Sequence, residues 1–406
     1  MVAINRMRTS TNSTRLHAHI VGWGMAVPEK VMTNDDLAAF VDTTDEWIVA
    51  RTGIRERRIA GETETTATLG LEAARRALEI ADIMPDEIDM VVVATSTPDH
   101  IFPSTASLIQ AGLGANRAGA FDLSAACSGF VYAVSLAAQS IQSGAIKTAV
   151  VIGTETMSRV LDWQDRGTCI LFGDGAGAVV LRASPDEGGV LSSVLRSDGT
   201  GGDLLGIPSV GTLDYVGDDI TLPEANGHKL NKMHMNGGEV FKFATRVIGE
   251  SVLQALEQAG LSLRDVKLIV PHQANLRIIN AAARALKVDE SLFMVNLDRY
   301  GNTSAASIPL ALVEAVQQGR IQRGDPVVFV GFGGGLTWAS MVVRWGAPTI
   351  EGQYRFKKQR RAFTYAMARF RSRMTRMNRQ MNDTFRRARP EQGRVDRLRQ
   401  RIKNLP

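Results

Sequence analysis

From His17 onward, apolar residues fall into two alternating kinds of run. Short unbroken runs such as Met90-Val91-Val92-Val93-Ala94 predict buried strands, and longer stretches with apolar residues three and four apart predict helices. The spacing predicts strands near 18–24, 90–94, 119–123 and 148–153, with helices near 68–82, 103–113 and 129–143. Unbroken apolar strands separated by helices imply a sheet covered on both faces, so a parallel sheet is expected. Residues 1–16 are rich in Ser, Thr, Asn and Arg, lack either pattern, and read as a disordered start.

The pattern then repeats. Ala77-Leu78-Glu79-Ile80-Ala81, followed by Pro85 to Val93, overlies Ala255-Leu256-Glu257-Gln258-Ala259, followed by Leu263 to Pro271, at an offset of 178. The same offset lays Val150-Val151-Ile152-Gly153 over Val328-Phe329-Val330-Gly331. An unchanged register across two helix–strand units predicts a duplicated α/β body, one half over 17–185 and the other over 186–346. Ligands of open α/β sheets bind beyond the carboxyl ends of strands, so the site is expected where the halves face each other.

Composition narrows the class. The 406 residues are 44% apolar and 22% charged, as in globular proteins, and two cysteines, Cys127 and Cys169, are too few for a disulfide scaffold. No apolar run reaches the ~18–20 residues that span a bilayer, and a cytoplasmic location is expected. The net charge of +5 hides a split: residues 351–406 hold 18 of the 47 Lys+Arg but only 4 of the 42 Asp+Glu, a net of +14 against −9 for the rest. In this tail Phe363, Met367, Phe370, Met374, Met377, Met381 and Phe385 recur three and four residues apart, which predicts a basic amphipathic helix. Residues 355–403 would suit an anionic membrane surface or an acidic partner; without a folded basic groove carrying stacking aromatics, nucleic acid is not expected.

Three residues stand at strand ends where chemistry is expected. Cys127 follows Phe121-Asp122-Leu123 and opens a helix, where the positive end of the dipole is expected to lower the thiol pKa. His272 follows Leu268-Ile269-Val270-Pro271, and Asn302 lies in Tyr300-Gly301-Asn302-Thr303-Ser304-Ala305, where it is either a helix cap or an amide donor. Cys169, between Thr168 and Ile170-Leu171-Phe172, is expected in the core. Gly173 to Gly177 and Gly331 to Gly335 run into β-rich sequence and lack the P-loop lysine, so they read as tight turns and close approaches rather than nucleotide loops. No spaced metal-ligand cluster occurs, and no metal is expected.

These motifs, together with Asp165-Arg166-Gly167-Thr168, Pro271-His272-Gln273-Ala274-Asn275, and Trp47 with Arg51-Thr52-Gly53-Ile54, make residues 17–346 resemble the β-ketoacyl-acyl-carrier-protein synthase III family of thiolase-like condensing enzymes. The resemblance implies a duplicated five-layered α/β/α/β/α fold, a homodimer, and an acyltransferase that initiates fatty acid synthesis by condensing an acyl-coenzyme A primer with malonyl-acyl-carrier protein. It implies Cys127 as the acylated nucleophile, with backbone N–H groups of Cys127, Gly333 and Gly334 around the oxyanion, and His272 and Asn302 on the malonyl thioester. Trp47, Arg51, Arg166, Phe241, Ala274 and Asn275 would hold coenzyme A; Lys242, Gln273 and Arg277 would meet acyl-carrier protein; Phe102 would shape the acyl pocket. Coenzyme A and phosphopantetheine enter as substrates, with no permanently bound cofactor. Gly238 departs from the pattern, standing where the family commonly has an Asn. A Cys-His-Asn set is shared with polyketide synthases, which remain an alternative, as does an inactive thiolase-fold scaffold acting through its basic tail.

Overall fold

The computed structural model describes residues 15–208, 231–346 and helical stretches at 363–367, 370–371, 374–375 and 377–381. Most of the expected disordered start and much of the tail, Phe385 included, lie outside the described residues. The first half runs through β1 (His17–Ala26), β2 (Val31–Thr33), α1 (Asn34–Ala38), α2 (Asp45–Thr52), β3 (Glu56–Arg58), α3 (Thr66–Ala81), β4 (Met90–Ala94), α4 (Thr105–Leu113), β5 (Gly119–Leu123), α5 (Gly129–Gln142), β6 (Thr148–Thr156), α6 (Arg166–Cys169) and β7 (Asp174–Ser184). The second continues with β8 (Gly189–Ser197), β9 (Leu205–Gly206), β10 (His234–Met235), α7 (Gly237–Gln258), β11 (Leu268–Pro271), α8 (Leu276–Leu286), α9 (Leu297–Tyr300), α10 (Ser307–Gln317), β12 (Pro326–Gly333) and β13 (Thr337–Arg344).

Two sheets form the body, ordered β1-β7-β6-β4-β5 and β11-β12-β13-β8. Both are mixed, which corrects the expected parallel sheet: β4 pairs parallel with β5 and β6, and β11 with β12, whereas β7, β1, β13 and β8 join antiparallel. The unbroken apolar runs reflected burial on both faces, which does not depend on strand direction. Only Gly334, Gly335 and Leu336 separate β12 from β13, too few residues for a crossover, so this pair must fold back as a hairpin.

Helices α5 and α10 lie between the sheets, and their Phe130, Val134, Ile308 and Leu312 share one core with Val92 and Val151 of the first sheet and Val270 and Phe329 of the second. Outside the first sheet α3 and α4 pack through Ala73, Ala77 and Ile109, and outside the second α7 and α8 pack through Val247, Val252 and Ile279. The five layers follow. Each outer helix is amphipathic because one side meets water, whereas α10 is buried almost all round.

The repeat persists in atomic detail. β4 and β11, β6 and β12, and α5 and α10 begin 178 residues apart. So do the 3-10 turns Ala126–Ser128 and Ser304–Ala306, which precede the two central helices.

Candidate active site

The two turns meet at the centre of the molecule. Each begins with a non-glycine residue in the left-handed region, Ala126 at φ 44° and Ser304 at φ 48°. Left-handed backbone is uncommon for an alanine or a serine. The turn at Ala126 bends the chain leaving β5 so that Cys127 faces the second half, where its Sγ lies 3.5 Å from Ser304 Oγ. The end of β12 closes over it: a Cβ on Gly333 would sit 2.7 Å from the Cys127 amide nitrogen, so only glycine lets the strand come this close to the turn.

The thiol differs from expectation. Burial pushes the Cys127 thiol up to about 12, relieved in part by the Ser304 hydroxyl and reinforced by the charge of Glu155. The helix terminus favours thiolate, but desolvation at a side chain packed inside the protein outweighs it. Cys169 is free and fully buried, as expected.

His272 follows β11 and is 2% exposed, its ring edge-on to Phe332 with centroids 5.2 Å apart. Burial drives its pKa down to about 3, so at neutral pH the ring is an uncharged imidazole. Asn302 proves not to cap α10, which starts five residues later. Its Oδ1 accepts from the Ser304 N–H at 2.8 Å, which orients the amide with Nδ2 as the free donor. Glu314 fixes the preceding segment, accepting from both Arg299 terminal nitrogens at 2.8 Å and from Tyr300 Oη at 2.7 Å.

Cys127, His272 and Asn302 line one cavity of about 860 Å³, together with Gly333 and Gly334. Trp47, Arg51, Arg166, Phe241, Lys242, Ala274, Asn275 and Arg277 line it too, so the structure gathers the expected coenzyme A residues and two of the carrier-protein residues. Trp47 carries two guanidinium groups, Arg51 at 4.3 Å and Arg166 at 4.8 Å from its ring centroid. Arg166 is tethered by the Asp42 carbonyl at 2.8 Å, and Arg277 lies 5.4 Å over Phe241. Gly238 is in the first turn of α7, where an added Cβ would meet only Asn236 Oδ1, at 3.7 Å.

Two expected site residues stand elsewhere. Gln273 is 1% exposed and its amide is consumed inside the protein, donating to the Pro271 and Met294 carbonyls and accepting from the Asn296 N–H. It cannot touch a carrier protein; it braces the His272 loop instead. Phe102 is 86% exposed and does not line the cavity. Glu155, not among the expected site residues, is fully buried near the end of β6 behind Ser304. Its one signal was an acidic residue closing the otherwise uncharged run Thr148–Thr156. Among the described residues, no three His, Cys, Asp or Glu side chains gather as a metal site, and no helix is long and apolar enough to cross a membrane.

The chain is similar to known proteins over most of its length. Residues 121–199 match the family described as 3-oxoacyl-[acyl-carrier-protein] synthase III, and residues 256–345 match its C-terminal part. The β-ketoacyl-[acyl-carrier-protein] synthase III of a Roseiflexus species is 53% identical over 331 residues, covering 82% of this chain and 99% of its own. The crystal structure of the corresponding synthase from Aquifex aeolicus superposes with a TM-score of 0.74 at 45% identity, covering 81% of this chain and all of that one. The priming β-ketosynthase of the R1128 polyketide pathway superposes at 0.75 with 40% identity, over 82% and 98% of the two chains.

Proposed function

The chain belongs to the 3-oxoacyl-[acyl-carrier-protein] synthase III family, and from that membership we propose how its own residues divide the work of an acyltransferase that initiates fatty acid synthesis. The observation that carries the proposal is the convergence of Cys127, His272 and Asn302, from three separate segments, on one cavity. Cys127 attacks the thioester carbonyl of an acyl-coenzyme A, and the coenzyme leaves as its thiolate. Backbone N–H groups of Cys127, Gly333 and Gly334 face the oxyanion, a contribution of about 3 kcal/mol for each well-placed donor. Malonyl-acyl-carrier protein then enters. Neutral His272 and the Asn302 Nδ2 donate to its thioester carbonyl, so the electron pair released with carbon dioxide collects on an enolate oxygen. The enolate carbon attacks acyl-Cys127 and returns a 3-oxoacyl chain two carbons longer, still on the carrier.

Trp47 and Arg166 take the adenine of coenzyme A, with Arg166 swinging off the indole to open the slot. Arg51, Phe241, Ala274 and Asn275 line the way in, and Lys242 with Arg277 present positive charge to the acidic carrier. Coenzyme A and phosphopantetheine are thus substrates that pass through the cavity. Exposed Ile101, Phe102 and Phe121 lie beside β5, which among the described residues is an edge strand, and suit a homodimer contact through which Phe102 would reach a partner's acyl pocket. We assign 17–185 and 186–346 as the two thiolase-like halves and a cytoplasmic location. Residues 355–403 are assigned to an anionic membrane surface or acidic partner, supported by exposed Phe363, Phe370, Met374, Met377 and Met381. Curated relatives at 51–53% identity, all named β-ketoacyl-[acyl-carrier-protein] synthase III, support the fatty-acid reading, with the polyketide priming enzyme as the second.

Intact-mass measurement after incubation with acetyl-coenzyme A tests the nucleophile. An acetyl adduct on the wild type and none on Cys127→Ala is the expected result; an equal adduct on both removes Cys127 from the mechanism.

A further inference from the structure

Proposed acylation leaves the Cys127 proton without a destination. Formed in place, a thiolate would add a second buried charge to a site that already holds Glu155. His272 carries no hydrogen bond to the thiol, whereas the Cys127 S–H donates to Ser304 Oγ at 3.5 Å and the Ser304 hydroxyl donates to Glu155 Oε1 at 2.9 Å. The three atoms form a continuous chain.

We propose that Ser304 is a catalytic residue of the acylation step, passing the Cys127 proton to Glu155, which holds it for the lifetime of the acyl-enzyme. The inference rests on the acyl-Cys127 reading above. The hydrogen-bond directions around Glu155 support it. Thr97 Oγ1 accepts from the Thr156 N–H at 2.9 Å, and Thr95 Oγ1 accepts from the Thr97 N–H at 3.1 Å. Their hydroxyl protons are therefore free to point at Glu155 Oε2, at 2.5 and 3.1 Å, and the Ser96 N–H donates to both carboxylate oxygens at 3.0 Å. Every neighbour offers a proton, which is the setting of an ionised carboxylate. Burial raises the Glu155 pKa, making the anion a better proton acceptor than an exposed one.

The transfer balances. As Sγ bonds to the acyl carbon, its proton moves to Ser304 Oγ and the Ser304 proton moves to Oε1; the departing coenzyme A thiolate is protonated by water. The single buried negative charge moves from carboxylate to the reacting sulfur, and no second one is created. When the enolate attacks and Cys127 leaves as thiolate, the proton returns along the same path. Duplication placed the relay: Ser304 and Ala126 are 178 residues apart in the two strained turns that meet at the site.

Single-turnover acetylation by acetyl-coenzyme A, followed against pH, tests this in wild type, Ser304→Ala and Glu155→Gln. Alanine is tolerated at this φ, since Ala126 already adopts it. Acetylation by both variants is expected to fall by about 10²-fold at neutral pH and to climb with pH as solvent takes over the proton. Decarboxylation of malonyl-carrier protein, which needs no thiol proton, should fall far less. Wild-type-like acetylation and pH profile in Ser304→Ala would overturn the relay, as would an equal loss of both half-reactions. That single variant decides the matter if Glu155→Gln does not fold. Failure of the wild type itself to acetylate would instead count against the acyl-Cys127 reading.

Discussion

Burial of His272 makes a quantitative prediction. Its pKa falls from 6.5 to about 3 through desolvation alone, so between those values the unfolded chain binds a proton that the folded chain refuses. Stability must then rise with pH across this window: the contribution is complete above about pH 6.5 and is lost progressively as pH falls toward 3. At about 1.4 kcal/mol per pKa unit, the loss attributable to this ring at pH 5 is roughly 2 kcal/mol, approaching about 5 kcal/mol below pH 3. Other buried acids, Glu155 among them, shift in the opposite sense, so the ring must be isolated by difference. Urea unfolding of wild type and His272→Gln at pH 7.5 and pH 5 does so. The gap between the two proteins should shift by roughly 2 kcal/mol, with the wild type losing more on acidification. Parallel stability profiles would refute the burial argument. The same reasoning expects malonyl decarboxylation to show no inflection near pH 6.5, because the working ring is neutral throughout.

Further outcomes are expected. Gly238→Asn places a side chain in open space on the cavity wall, and should lower KM for acyl-coenzyme A with kcat little changed; unchanged KM would show that the position does not meet the substrate. Arg277→Glu should raise KM for malonyl-carrier protein about tenfold or more through charge reversal, whereas Gln273→Ala should leave that KM alone and cost about 1–3 kcal/mol in urea unfolding. Ending the chain at Gly346 removes the +14 tail and should abolish sedimentation with anionic vesicles or binding to an acidic partner while condensation continues; unchanged binding would place that contact on the body.

Much of this protein was written locally. The unbroken run at Met90–Ala94, the amphipathic spacing of Ala73 and Ala77 in α3, and the offset of 178 are properties of neighbouring residues, so strands, helices and duplication could be read directly. Cys127, His272 and Asn302 were visible for the same reason, each ending a strand or opening a helical segment. What the sequence could not determine depended on which distant segments pack together. The antiparallel direction of β7, reached through 17 residues that are long enough for a crossover, followed from its pairing with β6 and β1 and not from the apolar pattern it shares with parallel strands. The helix-terminal position of Cys127 pointed to a lowered pKa, but burial beneath β12 and beside Glu155 reversed the sign. Gln273, adjacent to His272, turned inward because the Pro271 and Met294 carbonyls and the Asn296 amide needed its side chain. Glu155, Ser304 and Cys127 come from segments up to 177 residues apart. Desolvation and hydrogen-bond satisfaction are set by everything that surrounds an atom, and only the closed tertiary structure supplies those surroundings.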